Sequence, residues 1–240
     1  NLSTAPLLQY GYGSYGLIIE PSFKLTFMPL INNGFIFAIS HVRGGQELGR
    51  DWYDQGRMLN KMNTFTDFLD CTKKLLRKKI GNKNKIFAMG GSAGGLLMGV
   101  IINLEPKLYK GIVSAVPFVD VLTTMSDESI PLTTFEYKEW GNPNFKKEYY
   151  YIKKYSPYDN IDFKPYPPIL VTSSLYDSQV QYFEPAKYVS KLREHSTSGN
   201  PVLLKMNMIG GHAGKSGRLA SLKESSEELG FLENLSKQDS

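Results

Sequence analysis

Six apolar runs of strand length recur along this chain, separated by helix-like segments, and that alternation limits the fold more than any other feature. The runs cover 7–10, 35–40, 85–89, 111–116, 169–173 and 202–206. Several are nearly continuous in apolar character, as expected of strands covered on both faces. Between them, "NTFTDFLDCTKKLLRKK" from Asn63 carries an Asn or Thr cap and a repeating apolar stripe. "AGGLLMGVIINLEP" from Ala93 runs to a proline stop, and "YFEPAKYVSKLREH" sets Ala186, Val189 and Leu192 on one face. "LASLKESSEELGFLENL" from Leu219 closes the chain. Alternation of this kind predicts an α/β protein, with a mostly parallel sheet flanked by helices on both faces. There are no internal repeats or low-complexity linkers, so residues 1–240 read as one domain.

Two connections are long. The first, 44–62, is polar and glycine-rich, and the second, 120–166, is rich in Pro, Asn, Tyr and Lys. Long loops on a rigid sheet are usually functional covers or disordered. The aromatic density of "FEYKEWGNP" and "KEYYYIKKYSPYD" predicts an ordered excursion containing short helices.

Composition removes several function classes. No apolar run approaches the ~20 residues that span a bilayer, and "NLSTAPLLQY" lacks the pattern of a signal peptide. A cytoplasmic protein without membrane association is expected. The chain does not begin with Met, so it is expected to be a fragment of something longer. The lone cysteine, Cys71, suits a reducing compartment and, at helical spacing from Phe68 and Leu75, reads as a small core residue. The net charge of +5 comes partly from lysine clusters such as "KKLLRKKIGNKNK". These read as a solvated helix face, and no nucleic-acid-binding motif accompanies them.

Gly11, Gly13 and Gly16 in "YGYGSYG" fit the G-x-G-x-x-G spacing of dinucleotide loops. That chemistry needs a helix opening at the third glycine and an acidic residue ending the next strand. Here Pro21 and Pro29 interrupt the segment after Gly16, and the next strand ends in Ser40 and His41. The cofactor reading fails twice, and neither cofactor nor metal is expected.

The strongest local signal is "KIFAMGGSAGGLLMG". Gly90-Gly91-Ser92-Ala93-Gly94 matches G-x-S-x-G between an apolar strand and a helix-like run, the context of a nucleophile elbow. A serine nucleophile needs a base, and the chain order of such hydrolases is Ser, acid, His. His212, in "MIGGHAGKSG" after the last strand, stands where that order requires the base. His195 reads as a solvated helix end, and His41 as a residue lining the loop after its strand. Asp177, following "ILVTSSLY", is the acid; Asp159 and Asp162 precede that strand and are poor rivals. The Ala93 amide supplies one oxyanion donor, and the early glycine loop supplies the other, with a tyrosine hydroxyl in reach.

Taken together, "YGYGSYG", "HVRGGQELGRDWYDQG", "NTFTDF", "GGSAGG", "SIPLTTFEYKEWGNP", "YSPYDNI", "YDSQVQYFEPAKYVSKLRE" and "GGHAG" resemble the prolyl oligopeptidase family of serine peptidases, most closely its oligopeptidase B branch. The resemblance implies an α/β-hydrolase fold and a Ser92–Asp177–His212 triad, with Tyr12 as the side-chain oxyanion donor. It implies cleavage of short basic peptides after Arg or Lys, with Glu136, Glu20 and Tyr15 binding substrate. Gln179 replaces the arginine of prolyl-specific relatives. Lys138 and Ser22 stand where the branch often has further acidic residues. Glu139 is expected to point elsewhere if its segment is extended. The resemblance also implies a β-propeller and an N-terminal segment that this sequence lacks, so the chain is expected to be one piece of a split gene with a separately encoded propeller as partner, an excised domain, or a decaying remnant. A serine esterase on the same fold and a catalytically weak remnant are the alternatives.

Overall fold

Each of the six apolar runs forms a strand. The computed structural model describes residues 1–214 and 217–238. Its strands are β1 (Leu7–Tyr10), β2 (Ile36–Ile39), β3 (Ile86–Gly91), β4 (Gly111–Ala115), β5 (Ile169–Ser174) and β6 (Val202–Asn207). They make one sheet, in the order β2-β1-β3-β4-β5-β6, and every pairing is parallel. Among the described residues the α-helices are α1 (Met28–Asn32), α2 (Arg50–Asp54), α3 (Met62–Arg77), α4 (Ala93–Leu104), α5 (Val121–Ser126), α6 (Thr133–Trp140), α7 (Lys146–Tyr155), α8 (Phe183–His195) and α9 (Arg218–Lys237).

The two-residue period of a strand divides the core in two. Leu7, Ile86, Ile112 and Ile169 point to one face, where they pack with Phe68 of α3, Leu96 of α4 and Val189 of α8. Their neighbours Leu8, Phe87, Val113 and Leu170 point to the other, against Leu30 of α1 and Leu229, Leu232 and Leu235 of α9. Helix α4 carries no charged side chain and is buried from Ala93 to Asn103, lying between the sheet and the insertion. Burying each of its large aliphatic side chains stabilises the fold by about 1.5–3 kcal/mol.

Two details differ from expectation. Helix α3 begins at Met62 with Lys61 in the cap position and no side-chain capping bond, so neither Asn63 nor a threonine caps it. Cys71 is half-buried and lines a surface cavity with Ala38, Ile39 and His41; it is not a core residue. The segment 120–166 does form short helices: α5, α6 and α7.

Topology positions the site. The chain goes from β1 to β2 on one side and then crosses to β3 on the other, so the strand order reverses between β1 and β3. In open α/β sheets such a switch point leaves a crevice beyond the carboxyl ends of the strands. Tyr12 follows β1 and Ser92 follows β3, on the two sides of that crevice.

Candidate active site

Ser92 sits between β3 and α4 at φ 55°, ψ −117°, a left-side conformation disfavoured for a residue with a Cβ. Its neighbours hold it there. The Ser92 amide donates to Ala115 O at 2.8 Å, and its carbonyl accepts from the amides of Gly95 at 2.9 Å and Phe118 at 3.1 Å. Small residues are required around it. A Cβ on Gly90 would lie 2.4 Å from the Gly94 carbonyl oxygen, and one on Gly95 would lie 2.4 Å from the Pro117 Cβ. Ala93 is the first residue of α4, so its N–H has no acceptor within the helix, and the positive end of the helix dipole lies beside it.

His212 and Asp177 meet after β6 and β5. The His212 Nδ1 lies 2.8 Å from Oδ2 and 3.0 Å from Oδ1 of Asp177, whose side chain is 1% exposed. Burial alone would raise the Asp177 pKa. The bond from His212 and the amides of Val180 and Gln179, at 2.9 and 2.8 Å, outweigh it and hold the carboxyl below its usual range. The carboxylate is therefore ionised at neutral pH and orients the ring, with Nδ1 donating and Nε2 left as an acceptor. Among the described residues both hydrogen bonds of the His212 ring go to Asp177. The serine-to-histidine bond of such sites commonly tightens only with substrate in place.

Tyr12 arrives from the other side of the crevice, its ring packed on Gly94. Burial pushes its phenol up to about 12, and the Ser92 side chain pulls the other way as a hydrogen-bonding neighbour. The hydroxyl thus stays protonated, a donor beside the serine.

Ser92 and Ala93 open into a cavity whose wall includes Tyr15, Thr124, Leu132, Glu136, Trp140 and Gln179. The Glu136 Oε2 accepts from the Tyr15 hydroxyl at 2.8 Å and from Trp140 Nε1 at 2.9 Å. Tyr15 has φ 60°, and its ring lies edge-on to Trp140 at 5.6 Å. Burial and then Glu136 raise its phenol pKa, which keeps it a donor.

One expectation about this wall is corrected. The stretch around Glu136 is the helix α6, not an extended segment. Residues three apart on a helix share a face, so Glu139 turns the same way as Glu136 and is 4% exposed. Its Oε1 accepts the Tyr15 amide at 2.8 Å and its Oε2 the Tyr53 hydroxyl at 2.6 Å. Lys138, about 200° round the helix from Glu136, is exposed and does not line the cavity. Glu20 is also exposed and lines a different cavity, with Tyr10, Ser22 and Phe27, so the structure does not bring it to Ser92.

Sequence reasoning missed Lys61, whose side chain is buried beneath the loop that carries Tyr12. No spacing or pattern in "MLNKMNTF" signals that role. The other two histidines are accounted for locally. His41 Nε2 bonds the Ile19 carbonyl, and His195 bonds Lys191 O and stacks on Phe163. Among the described residues no group of three or more His, Cys, Asp or Glu side chains is placed to hold a metal ion, and no helix is long and apolar enough to cross a membrane.

The chain is 54% identical over 228 residues to dipeptidyl aminopeptidase BI of Pseudoxanthomonas mexicana, covering 95% of this chain and 32% of that protein. It is 51% identical to protease 2 of Moraxella lacunata, with 95% and 33% covered. The structure of oligopeptidase B from Leishmania major superimposes with a TM-score of 0.97 at 47% identity, covering 99% of this chain and 33% of that one. The chain thus spans about a third of the length of these relatives. The profile of the prolyl oligopeptidase family matches residues 21–239. With that match over most of its length and these relatives at 51–54% identity, the chain belongs to the prolyl oligopeptidase family.

Proposed function

We propose that this chain is the catalytic part of a serine oligopeptidase that hydrolyses short peptides after Arg or Lys. The observation that carries the reading is one cavity bounded by both Ser92 and Glu136. Ser92 is the nucleophile, His212 the base and Asp177 the residue that fixes the imidazole and stabilises its cation. Ala93 N–H and the Tyr12 hydroxyl receive the oxyanion. Both hydrogen bonds given to Glu136 among the described residues fall on Oε2. Its Oε1 is then left to meet a guanidinium or ammonium, and a desolvated ion pair of this kind discriminates strongly against a neutral side chain. Substrates are short basic peptides, and a propeller domain is a candidate partner.

The test is a fluorophosphonate label mapped by peptide sequencing, together with the kcat/KM of an arginyl amide and its norleucyl analogue. Labelling at Ser92 and a preference for arginine of about 10²-fold are expected. Labelling with equal rates on both amides would overturn the specificity. Cleavage of short acyl esters alone would point to an esterase, and no labelling would overturn the catalytic assignment.

A further inference from the structure

The loop between β1 and the next helix carries two side chains of the site, Tyr12 and Tyr15, yet it has little regular structure of its own. Gly13, Tyr15 and Gly16 all have positive φ, at 72°, 60° and 64°. Such a backbone persists only where its surroundings over-determine it. Part of the restraint comes from α6, through Glu139 on the Tyr15 amide and Glu136 on the Tyr15 hydroxyl. The remainder comes from below. Lys61, 1% exposed, donates from Nζ to Gly13 O at 2.6 Å and to Ser14 Oγ at 2.8 Å. Ser14 itself is fully buried. The same Nζ lies 5.1 Å from the centre of the Trp140 ring and 5.8 Å from that of Phe65.

We propose that Lys61 is a positioning residue that holds the Tyr12–Tyr15 loop against Ser92 through its two bonds to Gly13 and Ser14. The geometry closes on itself. Lys61 touches the loop between Tyr12 and Tyr15, Tyr15 is tied to both carboxylates of α6, and Trp140 of that helix covers the lysine. A buried ammonium is expensive to keep, so a lysine here is a poor choice for packing alone. A methionine of similar shape would fill the space but could donate nothing. Burial pulls the Lys61 pKa down to about 7, against the opposing pull of Glu139. The two acceptors match the two N–H groups that even the neutral amine retains, so the strut holds in either protonation state.

This proposal rests on reading Tyr12 as an oxyanion donor, and the experiment separates the two. The variants are Lys61→Met, Tyr12→Phe and their combination, in the purified protein, with kcat and KM measured on an arginyl amide. Tyr12→Phe is expected to lower kcat about 10²-fold or more with KM changed less. Lys61→Met should stay folded by near-ultraviolet circular dichroism and lose about tenfold or more in kcat, with KM within about threefold, as misplacement of a catalytic group does. If Lys61 acts through Tyr12, the double variant should be no worse than Tyr12→Phe by more than about threefold. Losses that multiply, or a folded Lys61→Met with the wild-type kcat, would overturn the strut while leaving the oxyanion reading intact. Unchanged turnover in Tyr12→Phe would overturn that reading first. Should Lys61→Met fail to fold, Ser14→Ala decides. It removes one acceptor with almost no volume, and a drop of about threefold or more in kcat at constant KM is expected; the wild-type kcat in that variant would overturn the proposal.

Discussion

The turn from β3 into α4 and the inserted helix α6 face each other across the same cavity, but they are built in different ways. At the turn, the constraints come from its own small residues and from the backbone that follows the neighbouring strand β4. Gly90 meets Gly94 and Gly95 meets Pro117, and the Ser92 carbonyl is held by Gly95 and Phe118. On α6 the constraints come from far along the chain. Glu136 is bonded by Tyr15, 121 residues away, and Glu139 by Tyr53, 86 residues away. The proposed nucleophile therefore depends on a short run of small residues and on one adjoining segment, 115–118, that holds the Ser92 backbone. The selectivity wall depends on three segments arriving together. A substitution at the turn should abolish the chemistry for every substrate, whereas one on α6 should change which substrate is taken.

The largest effects are expected on the first side of that comparison. Ser92→Ala, His212→Ala and Asp177→Asn should each lower kcat by about 10⁴-fold or more for arginyl and neutral amides alike, with the melting temperature little changed. Asp177→Asn acts by losing control of the imidazole tautomer, since the amide can donate to Nδ1 where the carboxylate only accepts. A loss that spared neutral substrates would break the division between chemistry and selectivity. Fluorophosphonate labelling that survived Ser92→Ala would remove the nucleophile assignment itself.

The next effect belongs to the wall. Glu136→Gln should lower kcat/KM for arginyl amides by about 10²-fold, because it removes one partner of a desolvated charge pair, and should leave a norleucyl amide within about threefold. Glu20→Gln supplies the control. That carboxylate is exposed and lies in a separate cavity, so its loss should change the same ratio by about twofold at most. Equal losses at Glu136 and Glu20 would mean that the general negative field of the site attracts the substrate and no fixed contact does.

Legibility in the sequence divides along the same line. All six strands and the serine turn were legible, because a period of two, a period near 3.6 and the steric demand of a tight turn are local properties. The Asp177–His212 pair was legible from chain order once the sheet was assumed parallel, since ligand-binding residues follow the carboxyl ends of the strands. Glu139 was misplaced for a specific reason. "TTFEYKEW" has no strong apolar stripe, and its helix is stabilised by tertiary contacts at Tyr15 and Tyr53 that no window of eight residues contains. Lys61 was invisible because a lysine in a polar stretch reads as solvent-exposed. Only the folded chain puts Gly13 and Ser14 above it.

The smallest predicted effect sharpens the comparison most. Lys138 occupies the position where a second carboxylate would reinforce Glu136 if the segment were extended, because alternate residues of a strand share a face. In that geometry Lys138→Glu would remove a repulsive cation and add an attractive anion, raising arginyl cleavage strongly and more so at low salt. On α6 the same side chain is turned about 200° from Glu136 and faces water. Its carbonyl, not its ammonium, is what the fold uses, as an acceptor for Arg57 Nη1 at 3.0 Å. Lys138→Glu should therefore change kcat/KM for arginyl amides by no more than about twofold at 0.15 M salt. The residual effect should fade further at 0.5 M, as expected of an exposed charge acting through solvent. A gain of about tenfold or more that survives high salt would require the side chain to reach the cavity, and the helical register of the whole wall, Glu136 and Glu139 included, would have to be redrawn.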